Sequence, residues 1–398
     1  EYLRYLLENA RRGRLLLTCR YPVPGMEAHL RRIPIGPLSR AESRKLLRRL
    51  DQLSEQDPSE LALVLRVIGG HPRMLEFLDG LLRGGQGRLP HVTRKLRDTM
   101  QWAGVAVSDS LDELEEAVQQ VVILGARDVL LDELLGMARA ERLEGVLLQL
   151  SVSNLPVSAA GVAHMLNDGP GGDASSVENA LRRLEALSLV FRFPDGSAWV
   201  HRWTAEGLAR HTSEEEHRER ANRAGRYRWW RVEHESHAIE DAWEAVRNHL
   251  IGRDFDAATN ITHVCFAALR RFHQSVGIAA LAGEVLESLP PDHPGYGAIA
   301  DEEGQAYLAL GFTSHAVERY QALLGLYQER VGAEPDRADY QRDLSVSYER
   351  MGDLYRALGQ GEQARAAYQQ SLEIAERLAQ AEPDRADYQR DLSVSYER

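Results

Sequence analysis

Gripping a triphosphate takes a glycine-framed loop, G-x-x-x-x-G-K-[ST], whose backbone N–H groups cradle the phosphates and whose lysine neutralises them. The chain has two lysines, Lys45 followed by Leu46 and Lys95 followed by Leu96. Neither fits such a loop. The phosphate chemistry that remains sits at Thr18 and Arg20, which close the run RLLLTCR at residues 14–20. That run reads as a short buried strand behind a helix at residues 1–12, and ligands of α/β nucleotide-binding sheets lie at the carboxyl ends of strands. Other chemistry is thin. His234 and His237 have the i,i+3 spacing that can hold a metal on one helix face, yet among fourteen histidines they read as solvent-facing, and no metal site is expected. Cys19 and Cys265 are too few for a disulfide framework or a cysteine zinc site, which favours a reducing compartment or a chain indifferent to redox, and a cytoplasmic setting is expected. No G-x-S-x-G elbow and no cysteine–histidine nucleophile signature occurs, so no catalytic residue is assigned. Tyr227, Trp229 and Trp230 read as helix packing rather than a stacking platform.

The elements that must position these residues belong to more than one core. A chain of 398 residues, 43% hydrophobic and 27% charged with mean hydropathy -0.40, is expected to form two to four domains. No stretch approaches the roughly 18–20 consecutive apolar residues of a membrane span, so no membrane association is expected. The sequence starts at Glu1 without an initiator methionine and stops at Arg398 inside a repeat, and it reads as a fragment. Residues 1–100 carry 19 Lys and Arg against 11 Asp and Glu, a net of +8; the other 298 carry 29 against 49, a net of -20. That balance argues against a uniform nucleic-acid-binding surface.

The carboxyl end is repetitive. The eighteen residues AEPDRADYQRDLSVSYER at 333–350 recur unchanged at 381–398, a period of 48. The same offset relates Gly304 to Gly352, Tyr307 to Tyr355, Gly311 to Gly359, Ala316 to Ala364 and Tyr320 to Tyr368, so a further copy lies upstream. This spacing predicts two antiparallel helices per copy. Gly352 and Ala364 allow close approach, Tyr355 and Tyr368 fill the gap, and Gly359 ends the first helix. The unit resembles the tetratricopeptide repeat, whose usual period is about 34 residues; here residues 371–384 are longer and Pro383 sits later than the family proline. The resemblance implies an α-solenoid with a concave groove that binds a protein or peptide. Glu349, Asp353 and Arg356 would face that groove, or else form a solvated face. Residues 241–261 look like a degenerate unit with Gly252 and Ala257 at the turn and packing positions, and helices should run from about Ser213 onward.

Residues 140–211 read differently. Helices are expected at 143–150 and 159–166, a loop at 168–172, and a third helix opened by a capping box from Ser175 to Glu178 with Val177, Ala180, Leu181, Leu184 and Leu187 on one face. Strands at 189–193 and 198–201 around the turn PDGS then form a hairpin. Three helices closed by a hairpin are a winged helix. Such modules often bind DNA through the third helix, where Arg182 and Arg183 would touch phosphates, but Glu178 and Glu185 beside them favour a structural role.

Toward the amino end, Ser39 with Glu42 forms a capping box for a helix at 40–53, and another helix opens at the segment GGHPRML, residues 69–75. The order of strand, lid helix, glycine-x-proline motif, winged helix and repeat arm resembles the signal-transduction ATPases with numerous domains, the class of the NB-ARC and NACHT switches. The resemblance spans nearly the whole chain and lies in that order more than in any single motif. It implies a mainly α protein made of five parts: a remnant of an α/β NTPase sheet at 1–35, a helical lid with linker helices at 36–139, a winged helix at 140–211, degenerate helical repeats at 212–296 and tetratricopeptide-like helix pairs at 297–398.

Carried over position by position, Arg20 matches the sensor arginine near the γ-phosphate, Pro72 the proline that packs on adenine, and His201 the histidine that contacts the β-phosphate of ADP. Plant and animal members place Asp after that histidine, where this chain has Arg202. The implied whole protein binds ATP or ADP with Mg and homo-oligomerises on activation. This chain, lacking the phosphate-gripping lysine, is expected neither to hydrolyse ATP nor to hold nucleotide tightly. The expected function is the regulatory and sensor portion of such a switch. The alternatives are a tetratricopeptide scaffold without nucleotide dependence and a winged-helix transcription regulator.

Overall fold

The computed structural model describes residues 38–56, 65, 68, 71–83, 89–104 and 116–397. Thr18, Arg20 and the expected strand at 14–20 lie outside them. The described residues are mainly helical, with eighteen α-helices and one two-stranded sheet. They fall into two compact units, Glu1–Leu130 and Leu131–Arg398.

In the first unit, α1 (Arg40–Leu47) begins with the expected capping box: Ser39 N donates to Glu42 Oε2 at 2.9 Å and Glu42 N donates to Ser39 Oγ at 3.3 Å. The single helix expected over 40–53 is broken, because Leu50 is extended at φ -99 and ψ 104 and α2 (Asp51–Ser54) starts anew. The cause lies far along the chain. Asp79, fully buried on α3 (Pro72–Leu82), accepts from Gln52 N at 2.9 Å and Leu53 N at 3.1 Å, satisfying amides that a helix start leaves open. Pro72 is the exposed first residue of α3, where its missing N–H costs nothing. Phe77, Leu78 and Leu81 of α3 are buried, as are Leu96 and Met100 of α4 (Leu89–Trp102) and Val122 of α5 (Glu116–Ala140).

The second unit begins within α5. Helices α6 (Glu144–Ser151), α7 (Ala159–Asn167) and α8 (Ala174–Ala186) precede the antiparallel strands β1 (Phe191–Arg192) and β2 (Ala198–Trp199), with Phe191 opposite Trp199. The start of α8 departs from the expected capping box at Ser175. Asp173 caps it instead, its Oδ1 accepting from both Ser175 N and Ser176 N at 3.1 Å, since a carboxylate at the mouth of the helix is the better acceptor for its amides. Val177, Leu181, Leu184 and Leu187 are buried and Ala180 partly so. After β2 comes α9 (Arg202–Leu208).

A run of helices follows: α10 (Glu214–His234), α11 (Ile239–Gly252), α12 (Phe255–Arg271), α13 (Ser275–Ser288), α14 (Tyr296–Ala309), α15 (Thr313–Ala333), α16 (Ala338–Ala357), α17 (Gly361–Ala381) and α18 (Ala386–Tyr396). Each packs on the one before it. Between α16 and α17 the glycine–tyrosine spacing does what it predicted: a Cβ on Gly352 would stand 2.4 Å from the Tyr368 ring. Gly304 meets Tyr320 in the same way at 2.6 Å. Gly359 takes φ +72 just beyond α16, the left-handed step that releases a helix. Gly252 differs from expectation. The positive φ falls on Arg253, while Gly252 lacks a Cβ because Asn222 of α10 occupies that space. Among the described residues no helix is long and apolar enough to cross a membrane.

Candidate functional site

The residues singled out in the sequence do not form one cluster. Arg20 lies outside the described residues, and Pro72 belongs to the first unit. His201 lies in the second and sits past β2 as the N-cap of α9, its Nδ1 accepting from Trp203 N at 3.2 Å. A ring whose Nδ1 accepts carries its neutral-form proton on Nε2, so tautomer and orientation are both set. On α16, Asp353 accepts from the Tyr368 hydroxyl at 2.7 Å and from Arg356 at 3.1 Å. Two of the three expected groove residues thus answer each other's charge, and Asp353 is tied to the second helix of its own pair. Arg356 stays 62% exposed.

The strongest polar assembly is one that the motifs do not mark. Arg228 of α10 is 1% exposed, pairs with Asp241 of α11 at 2.7 Å, and donates to the carbonyl oxygens of Leu155 at 2.7 Å and Pro156 at 3.0 Å. Glu244 of α11, equally buried, accepts from Asn154 N at 2.6 Å. Gln149 of α6, fully buried, donates to Arg220 O at 2.9 Å. Outward from Glu244, Arg247 and the Trp243 indole both bond Glu284 of α13, the latter at 2.7 Å. Two ionised groups taken from water are held only when geometry is right and their remaining hydrogen-bonding positions are filled. Here the carbonyls of Leu155 and Pro156 take Arg228 Nη2 and the Asn154 amide takes Glu244, while Arg228 Nε is buried without a hydrogen-bond partner. The arrangement is therefore a joint that accepts one relative placement of the loop after α6 and the helices α10, α11 and α13.

The joint continues toward His201. Val157, next to Pro156, exchanges both backbone hydrogen bonds with Ala198 of β2, Val157 N to Ala198 O at 2.9 Å and Ala198 N to Val157 O at 2.8 Å. Val200 is buried and His201 follows. A path thus runs from Glu284 to Arg247, across a 4.0 Å ion pair from Arg247 to Glu244, and through residues 154–157 to β2 and the cap of α9.

A signal for this joint was present in the sequence. On α10 the buried positions Ala221, Ala224 and Arg228 follow helical spacing, and on α11 Asp241, Glu244 and Asn248 do the same. Charged residues on the stripe that must be buried need partners. Their partners, 73 and 90 positions away for Arg228 with Leu155 and Asn154 with Glu244, follow from no spacing rule.

Other candidates resolve locally. Arg183 forks onto Glu141 at 2.6 and 3.0 Å and Arg182 pairs with Glu178 at 3.0 Å, so both arginines of α8 have their charge answered. α10 ends at His234, so His237 is off the helix and the i,i+3 face is not formed; the two rings donate to the carbonyls of Trp230 at 2.9 Å and Val232 at 2.7 Å. No group of three metal-ligating side chains occurs among the described residues. Burial pushes the Cys265 thiol up to about 11, which keeps it a protonated core residue. No family model, curated protein or solved structure matches the chain.

Proposed function

We propose that the chain is the regulatory and sensor portion of a nucleotide-dependent signalling switch of the signal-transduction ATPase class. In this reading residues 140–211 are its winged helix, and the helices from α10 onward form a tetratricopeptide-like α-solenoid that binds a protein or peptide partner in the cytoplasm. The observation that carries the reading is the path of hydrogen bonds and one longer ion pair from Glu284 to β2 and His201. A partner that shifts the helical arm strains a joint with one accepted geometry, and the strain arrives at the histidine matched to the β-phosphate contact. His201 suits that contact, because its proton-bearing Nε2 is a donor as a phosphate oxygen requires.

A switch of this kind needs a partner that favours one state over the other, and a joint that fixes the arm to His201 is a physical means of that difference. Any Mg, and the homo-oligomer formed on activation, belong to the complete protein. The test is ADP release from the complete protein, followed with a fluorescent ADP analogue. His201→Ala should speed release and raise basal oligomerisation. Unchanged release together with unchanged oligomerisation would leave the reading as a repeat scaffold without nucleotide dependence.

A further inference from the structure

A cleft opens between α10 and α12 over the carboxyl end of α11, with about 380 Å³ of space. Trp229 and Trp230 wall one side and Ile261 and Val264 the other. Val264 is 51% exposed, and Ala268 and Phe272 follow it at four-residue intervals, Phe272 being 74% exposed. The apolar wall therefore continues along α12 beyond the cleft.

Two carboxylates border this space. Glu233 makes no hydrogen bond or ion pair among the described residues, and Asp254 uses Oδ1 to cap α12 through Ala257 N at 3.2 Å. Beneath them lies His249, 3% exposed, whose Nδ1 has no hydrogen-bond partner and stands 3.5 Å from Asp254 Oδ2. Burial holds this imidazole below its ordinary pKa, so at neutral pH it adds no positive charge. The cleft's arginine, Arg226, is already engaged by Asp168 at 2.9 Å and Glu219 at 3.3 Å. What is left is an indole-walled slot with net negative charge and a buried polar atom waiting at its base.

We propose that this cleft receives an arginine or lysine side chain from a protein partner. A long aliphatic stem fits between the tryptophans and Ile261, and its cationic head reaches Glu233 and Asp254. The charge excludes phosphate, nucleic acid and acidic peptides. A free organic cation would leave the stripe from Val264 to Phe272 uncovered, which is why a polypeptide is the occupant. The inference rests on the helical arm being the partner-binding part. It is independent of nucleotide coupling, so a failed titration would leave the His201 result standing, and the reverse.

The test titrates the full chain with the capped pentapeptide LARAL, following tryptophan fluorescence, beside a version with the isosteric but neutral citrulline. LARAL should give a saturable change, the citrulline peptide at least tenfold weaker binding, and Glu233→Gln a fivefold or greater loss. Asp254→Asn keeps a helix cap and should act in the same direction, so a folding defect is not mistaken for lost recognition. Equal binding of both peptides, no saturable change with LARAL, or an unaltered affinity in the two variants would overturn the assignment. Choline displacing the peptide at concentrations where choline alone saturates the site would make it one for small cations and overturn the polypeptide occupant.

Discussion

Helices α10 and α11 close around Arg228, Asp241 and Glu244, whereas α16 and α17 close around Gly352 and Tyr368, with Ser345 Oγ bonded to the hydroxyl and carbonyl of Ser371 at 3.0 Å and no buried ion pair between them among the described residues. Both pairs use glycine for close approach. In the first pair, however, the space at Gly225 and Gly252 goes to the polar side chains of His249 and Asn222. Apolar packing tolerates small slides, because neighbouring contacts replace those lost. A buried ion pair does not, because any slide leaves charge without a partner. The first pair thus resists sliding and the second tolerates it.

The sharpest way to break this contrast is Arg228→Met, which leaves Asp241 buried with only Arg231 at 3.4 Å. The expected loss is about 3–5 kcal/mol in urea unfolding. Adding Asp241→Leu should recover most of it, since an apolar pair of similar volume removes the stranded charge. Failure of the second substitution to rescue would mean that Arg228 acts by packing. Next in size, Gly352→Ala drives a methyl into the Tyr368 ring and should cost about 1–3 kcal/mol. A loss below about 0.5 kcal/mol would show that α16 and α17 slide apart freely.

Acidity contrasts histidines of α7, α10 and α11 with tyrosines of α14 and α15 more gently. His164, His217 and His249 are held below their ordinary pKa chiefly by burial. The unfolded chain binds protons first, so this stability is complete above about pH 6.5 and is lost as pH falls. Tyr307 and Tyr327 are pushed up to about 12, and Tyr320 is also raised, again chiefly by burial. The unfolded tyrosines ionise first, so this stability is complete below about pH 10 and is lost as pH rises through 12. Chemical unfolding across pH should then show an acid limb flattened by His249→Gln and an alkaline limb flattened by Tyr307→Phe. Crossed effects, with each variant altering the other limb, would erase the distinction.

What the sequence made legible was local. The capping box at Ser39 with Glu42, the hairpin turn and the glycine–tyrosine spacing all act within a few residues or within one repeat. What escaped was decided by partners farther along the chain or by competition between neighbouring caps. Asp79 breaks the helix expected over 40–53 by capping α2 from α3, and Asp173 takes the cap from Ser175 because a carboxylate competes with a hydroxyl two positions on. For the candidate site, His201 was expected inside a strand at 198–201, but β2 ends at Trp199 and His201 caps α9 through a bond only two positions long, while the joint at residues 154–156 depends on bonds across 72 or more positions. Charges on a buried stripe were the only trace of that joint.

The duplicated segment has a consequence for how such an arm changes over generations. Arg342 in one copy bonds Asp391 in the next, and both residues lie inside the eighteen-letter block that repeats unchanged. Each of the two identical blocks therefore carries both a donor and an acceptor of this kind, Arg342 with Asp343 and Arg390 with Asp391. A recombination event that adds or deletes one 48-residue unit inserts or removes a matched interface, so the arm can lengthen or shorten in a single generation without a compensating mutation.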